Sequence, residues 1–508
     1  MPSAVPPRSR KDATLSWLAL ELGGPRRAVR HLGADVVVTD VQQDSRAVRP
    51  GDLFVSRPGS VDPVRRAQFV TDAIARGAVA VLREHTEEAC AIPVLEVPAE
   101  DLRAAIGVVA SAVHGHPSYA LDVVAVTGTN GKTTTTALIA EALDRLGGRC
   151  ARIGTVGAEL AGETRPTTHT TPEGDELARL LAWAHDGGAT AVAMEASSHA
   201  LDQRRLEGTR VRVAAFTNLT QDHLDYHATM EAYFAAKRRL FVDLSPGSAV
   251  VCVDDPWGAR LAEELGTSAL RVSAQVGRPA EIETRSCTLS ARGIDAEIAI
   301  LGVPARLSSP LLGAHNLENL LVALGALVGL DHPAAESVAA LGAAHGVRGR
   351  LERASTEGDP LVLVDYAHTP DALDRVLATL RPLTEGRVFC VFGCGGDRDA
   401  GKRPQMGHAV SRGADVAVVT SDNPRTEDPA AIIAQILPGM TGHAARHVEP
   451  DRAAAIAWAI TEARAGDTVL VAGKGHEDYQ IVGKEKRPFD DVTEARAALA
   501  QWRATWRR

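Results

Sequence analysis

Residues 123–136, Val-Val-Ala-Val-Thr-Gly-Thr-Asn-Gly-Lys-Thr-Thr-Thr-Thr, carry an apolar stretch into a glycine turn and then a lysine–threonine pair. That order predicts a buried strand, a tight loop and a helix opening at Lys132. Backbone N–H groups at such a helix start, aided by the helix dipole, favour a bound polyphosphate. Lys132 would reach the β- and γ-phosphates, and the Thr133 hydroxyl would serve a Mg2+ ion. The usual phosphate-loop pattern has a glycine five residues before the Gly-Lys pair, where this chain has Val126. The loop is therefore the shorter Gly128-Thr129-Asn130-Gly131-Lys132-Thr133-Thr134. No Asn-Lys-x-Asp guanine reader follows, which argues against a GTPase. By itself the loop still fits a motor, transport or switch ATPase.

A second set of chemical groups lies downstream. Residues 191–194 form another apolar run that ends on Glu195, and an acid at a strand's C-terminal end beside a phosphate loop is where nucleotide enzymes place a Mg2+ ligand. The competing reading of Glu195 is a helix cap. Ser197, Gln203 and Arg205 follow as polar loop residues. A third apolar run, 213–216, leads into Thr-Asn-Leu-Thr-Gln-Asp-His-Leu-Asp-Tyr-His, where Asp222, His223, Asp225 and His227 crowd a short loop. Their density favours a divalent-metal or phosphate site, although any one of these histidines alone reads as a hydrogen-bonded loop residue. Lys237, on the helix expected after this loop, reads by itself as a surface charge. Farther on, Gly393-Cys-Gly-Gly-Asp-Arg398 lacks the third glycine of a dinucleotide fingerprint, which argues against a redox enzyme.

The elements that must position these groups are short Val- and Ile-rich runs alternating with Ala- and Leu-rich helical stretches. The runs at 361–364, 388–392, 416–420 and 468–472 repeat the pattern of the first three. Strands that are continuously apolar are buried on both faces, so the expected class is α/β with mainly parallel sheets. A length of 508 residues suggests about three domains, and polar, Gly-containing joints near 114–121 and 345–350 place them at 1–117, 118–346 and 347–508. Apolar residues make up 45% and charged residues 23%, the balance of a globular chain, with a net charge of −9 and no polybasic block to suit nucleic acid. The longest apolar stretch, around 320–330, falls short of the roughly 20 residues of a membrane span, and residues 1–11 lack the apolar core of a signal peptide, so a cytoplasmic protein is expected. The six cysteines are scattered, which fits reduced structural thiols, the close pair Cys390 and Cys394 included.

Taken in order, Thr127-Gly-Thr-Asn-Gly-Lys-Thr-Thr-Thr, Met194-Glu-Ala-Ser-Ser-His-Ala-Leu, Phe216-Thr-Asn-Leu-Thr-Gln-Asp-His-Leu-Asp-Tyr-His and Gly473-Lys-Gly-His-Glu-Asp-Tyr-Gln resemble the Mur ligases. The likeness runs from about Asp44 to Val482. It implies an N-terminal α/β domain for a uridine nucleotide, a central P-loop ATPase domain with a mainly parallel sheet, and a C-terminal Rossmann-like domain for an incoming amino acid. Ser45 and Ser60 would contact the uridine nucleotide, and Thr170, Thr171, Ser197, Gln203 and Arg205 the muramoyl-dipeptide. Thr133 and Glu195 would hold one Mg2+, with His223 and a carbamylated Lys237 serving a second. The carbamate makes physical sense: an ammonium repels Mg2+, whereas its CO2 adduct is an anionic oxygen ligand. Asn316, Asp365 and His368 fall in the family's nucleotide-contacting regions, and they also read as ordinary caps and turns.

Asp422-Asn423-Pro424-Arg425 matches the signature of members that use meso-diaminopimelate. Arg398 and Arg425 would clamp the carboxylate at the non-reacting end, because guanidinium groups bind carboxylates bidentately, and Gly473 and Glu477 would complete the pocket. The implied reaction is ATP-dependent: phosphorylation of the D-Glu carboxylate of UDP-N-acetylmuramoyl-L-alanyl-D-glutamate, then attack of the diaminopimelate amine on the acyl phosphate. Lys132, His223 and Lys237 are the expected catalytic residues. A hinge near 346–349 would let the third domain close, and a monomer is expected. The alternatives are a lysine-adding or other ligase of the family, a folylpolyglutamate synthetase, or a P-loop switch or binding module.

Overall fold

The structure, a computed structural model, describes residues 13–23, 27–57, 62–86, 89–356 and 358–506. The chain packs as two compact units. The first comprises Met1–Arg285, Ile298–Ala305 and Glu318–Leu341, and the second Ser286–Glu297, Arg306–Leu317 and Gly342–Arg508.

Two sheets build the first unit. A five-stranded sheet runs in the order Arg30–Leu32, Val94–Val97, Ala80–Glu84, Asp52–Ser56, Asp40–Gln42, parallel except at its first strand. The second sheet has a parallel centre ordered Ala269–Ser273, Ser248–Cys252, Val213–Phe216, Asp122–Thr127, Ala191–Glu195, Cys150–Gly154. Antiparallel strands Gly157–Leu160 and Glu163–Arg165 extend it beyond the last of these. Val213–Phe216 and Ala191–Glu195 are buried at every position, as two-sided helix cover requires. The strand that leads into the phosphate loop lies between them. Register pairs Val126 with Glu195 and Thr127 with Phe216, so the three C-terminal ends emerge side by side. That is where open parallel sheets place ligands.

The second unit holds a six-stranded sheet, Glu352–Arg353, Leu361–Asp365, Thr468–Ala472, Val388–Phe392, Val416–Val419, Ala445–Val448, antiparallel only at its first strand. Alternate strand residues feed two cores. Leu363, Cys390, Phe392 and Leu470 pack with Leu373, Leu377 and Met406 on one face. Val362, Val364, Val391 and Val471 pack with Ile456, Ile460 and Leu499 on the other. A hairpin, Tyr479–Val482 with Glu485–Pro488, leaves this sheet before the helix Asp491–Trp506. The apolar stretch near 320–330 is the end of a buried helix, Ala314–Gly329, and among the described residues no helix is long and apolar enough to cross a membrane. All six cysteines are free.

Candidate functional site

In the first unit the loop after Asp122–Thr127 is shaped by two glycines. Gly128 has φ +151° and Gly131 φ +87°, and an added Cβ would collide with the Thr217 hydroxyl at the first and the Asn319 amide oxygen at the second. The helix Lys132–Arg145 starts without a side-chain cap, which leaves its first N–H groups for a phosphate. Neighbouring strand ends hold the loop open. Thr129 N donates to Asn218 O at 2.8 Å, Asn130 N to Asn218 Oδ1 at 3.0 Å, and Thr217 Oγ1 to Asn130 O at 2.6 Å. Thr217 and Asn218 sit in the quoted motif at 216–227, yet residue type alone gave them no role.

Lys132 Nζ donates to Gly128 O at 3.0 Å and Thr129 O at 2.9 Å, and burial lowers its pKa. Thr133 Oγ1 donates to Glu195 Oε1 at 3.0 Å, and Thr155 N donates to the same oxygen at 2.9 Å. Glu195 is buried, its carboxylate serving as a shared acceptor at the mouth of the loop rather than as a helix cap. A hydroxyl beside a carboxylate is a hard oxygen pair of the kind Mg2+ takes together with phosphate oxygens.

Lys237 is not the surface charge that its place on a helix suggests. It is 1% exposed, because the helix Met230–Val242 turns that face onto the phosphate loop, and its Nζ donates to Gly128 O at 2.7 Å. Burial, and then the nearby Lys132 charge, push its pKa well below the usual lysine range, so the amine is held towards its neutral form. His223 stands at φ +53°, about half exposed, with its ring 4.9 Å from that of His199. His227 turns inward, its Nε2 3.0 Å from Ser198 Oγ. Among the described residues no group of three or more His, Cys, Asp or Glu side chains is placed to hold a metal, so the crowding of Asp222, His223, Asp225 and His227 in sequence does not become a ligand cage by itself.

The residues expected to meet a muramoyl-dipeptide form one hydrogen-bonded chain that reaches Glu195. Thr171 Oγ1 donates to Glu195 O at 2.9 Å and receives Ser197 N at 3.0 Å. Arg205 donates to Thr171 O at 2.8 Å and to Gln203 Oε1 at 2.7 Å, and pairs with Glu173 at 3.1 Å. Thr170 Oγ1 lies 3.2 Å from Thr155 Oγ1. Ser45 is buried in the five-stranded part of the unit, and Ser60 lies outside the described residues.

The second unit contains a cavity of about 360 Å³ lined by Arg398, Asp422, Asn423, Arg425, Gly473 and Glu477, with His368 and Lys402 also at its wall. Every residue assigned to diaminopimelate except Pro424 lines it. Arg425 stands at φ +51° and donates from Nη1 to Gly396 O at 2.7 Å, while its N–H donates to Ile481 O at 3.0 Å. The Asn423 amide is engaged within the protein: Nδ2 donates to Glu477 Oε2 at 2.9 Å, and Oδ1 accepts from Ile481 N at 2.9 Å. Asp365 accepts from Leu351 N and Ala367 N, both at 2.8 Å, and Asn316 Nδ2 donates to Leu312 O at 2.8 Å. His368 Nδ1 lies 2.8 Å from Tyr366 O.

Two cations behind the cavity had been given no role from the sequence, although one of them, Lys474, lies inside the quoted motif at 473–480. Arg452 and Asp491 form a fully buried ion pair at 2.7 Å, and Arg452 also donates to Ser421 O at 3.3 Å and Ala472 O at 3.0 Å, the carbonyls just before Asp422 and Gly473. Lys474 is the second. Cys394, on the cavity wall, has its thiol pushed up to about 12 by burial, which disfavours the thiolate.

Residues 126–327 match the model of the Mur ligase middle domain, and residues 349–475 that of the Mur ligase glutamate ligase domain. The UDP-N-acetylmuramoyl-L-alanyl-D-glutamate–2,6-diaminopimelate ligase of Xylella fastidiosa is 47% identical, covering 92% of this chain and 94% of its own. The enzyme of the same name from Parasynechococcus marenigrum is 48% identical over 92% of this chain and 96% of its own. A solved structure of a ligase with this name aligns at 37% identity with a TM-score of 0.72, over 92% of this chain and 95% of that one.

Proposed function

The chain belongs to the Mur ligase family, and from that premise we propose that it joins meso-2,6-diaminopimelate to UDP-N-acetylmuramoyl-L-alanyl-D-glutamate at the expense of ATP. The observation that carries the choice of amino acid is the cavity that sets Arg398 and Arg425 beside Asp422 and Glu477. A ligand end bearing both a carboxylate and an ammonium complements those charges, and lysine offers only the ammonium.

ATP transfers its γ-phosphoryl group to the D-Glu carboxylate, releasing ADP. The diaminopimelate amine then attacks the acyl carbon, loses a proton, and phosphate leaves as the amide forms. Lys132 and the helix N–H groups hold the triphosphate, and the Thr171–Ser197–Arg205 chain orients the acceptor beside Glu195. One Mg2+ would be held by Thr133 and Glu195 and a second by His223 and carbamylated Lys237, and together they would supply charge neutralisation of the transferring phosphoryl group. Burial disfavours the charged form of Lys237, which suits reaction of its amine with CO2 to give a carbamate and a proton and so place an anionic oxygen donor there. No side-chain nucleophile is required.

We assign residues 1–117 to the uridine nucleotide, 118–346 to ATP and 347–508 to the amino acid, in a monomer working in the cytoplasm. The test supplies the full chain with ATP, the UDP-linked dipeptide and either radiolabelled diaminopimelate or lysine. Diaminopimelate should enter the product preferentially, and equal or greater use of lysine would reject the assignment.

A further inference from the structure

Lys474 is fully buried, and it does not line the cavity in the second unit. Its ammonium donates to Asn423 Oδ1 at 3.2 Å and Glu477 Oε2 at 3.3 Å, and lies 3.6 Å from Asp422 Oδ1. That Asp422 oxygen is buried and accepts no hydrogen bond. Asp422 and Glu477 both line the cavity, and two carboxylates converging on one small space repel each other unless a cation stands close to both. Here the cation stands behind them, and the Asn423 amide bridges Glu477 to Lys474.

We infer that Lys474 is a positioning residue for amino-acid selection: it holds Asp422 and Glu477 as a pair that receives the ammonium at the non-reacting end of a diamino diacid. The inference rests on the ligase reading above, which supplies that ligand. Reading of the distal end then divides in two. Arg398 and Arg425 meet the carboxylate, and the pair held by Lys474 meets the amine. Lysine lacks the first feature, and L-2-aminopimelate lacks the second while keeping the reacting amine and both carboxylates.

The experiment follows ADP release by the full chain with ATP, the UDP-linked dipeptide and either meso-diaminopimelate or L-2-aminopimelate. The wild-type protein should prefer the diamine by about ten- to hundredfold in kcat/KM, the scale of a hydrogen bond to a charged group. Lys474→Met removes the charge while keeping a linear side chain. It should bring that ratio towards one through a higher KM for diaminopimelate, with KM for ATP unmoved. A merely structural role would weaken both amino acids alike and leave the ratio intact, and that result overturns the inference. Should Lys474→Met fail to fold, Asp422→Asn breaks the carboxylate pair while leaving Lys474 its partner Glu477. It should collapse the same ratio, and an unchanged ratio there also overturns the inference. A wild-type protein that uses neither diacid rejects the ligase reading and the inference with it. One that uses diaminopimelate without preferring it rejects the inference alone.

Discussion

At Gly128 a single carbonyl oxygen accepts from two lysines, Lys132 Nζ at 3.0 Å and Lys237 Nζ at 2.7 Å. The first was legible from its place in the loop motif. The second was legible only through the family likeness, because a lysine on a helix carries no mark of which face is buried. Space is as tight at Gly131, where a side chain would meet Asn319 and strain a left-handed backbone. Gly131→Ala should therefore weaken ATP binding by about five- to a hundredfold, given about 1–3 kcal/mol for such strain, as read by nucleotide titration. In the cavity, Arg425→Gln should erase most of the preference for diaminopimelate over lysine. A site built around a charge loses about two or more powers of ten in selectivity when that charge goes, measured as the ratio of kcat/KM values. An undiminished preference would mean that the distal carboxylate is read elsewhere.

The parallel strands were readable because two-sided burial leaves continuous apolar runs, and the runs at 191–194, 213–216 and 388–392 fall on observed strands. What joins the elements was not readable. The helix Arg452–Glu462 begins with a buried arginine that grips Asp491, the first residue of the helix Asp491–Trp506, and the carbonyls ahead of Asp422 and Gly473. In sequence these two charges lie 39 positions apart, with nothing to couple them. Arg452→Met should lower stability by about 3–5 kcal/mol in urea unfolding, because it leaves the Asp491 carboxylate buried and unpaired. The surviving folded protein should also bind diaminopimelate more weakly than ATP binding alone would suggest, since both loops lose an anchor.

For the molecule as a whole, the phosphate-loop and Glu195 motifs fall in the first compact unit and the Asp422–Arg425 and Gly473–Glu477 motifs in the second, which also carries Asn316, Asp365 and His368, the residues expected near the nucleotide. A ligase that forms an acyl phosphate must not spend it on water, so ADP release should depend on the acceptor and rise further when diaminopimelate is added. Steady ATP hydrolysis indifferent to both co-substrates would place the chain among switch ATPases instead. The family and the α/β class were both legible, through motifs whose order spans most of the chain. The roles of Thr217, Asn218, Arg452 and Lys474 were not, because each engages a partner distant in sequence, Lys474 through Asp422 and Asn423.

The cavity lined by Arg398, Arg425, Asp422 and Glu477, read as the amino-acid site, has a pharmacological corollary. An inhibitor built only as a diacid would leave the Asp422–Glu477 side unsatisfied, and one built only as an amine would leave the arginines so. A tight occupant has to be zwitterionic, and zwitterions cross lipid bilayers poorly. Compounds aimed at this pocket should therefore be designed from the outset as cargo for amino-acid or peptide permeases, with uptake assayed alongside potency.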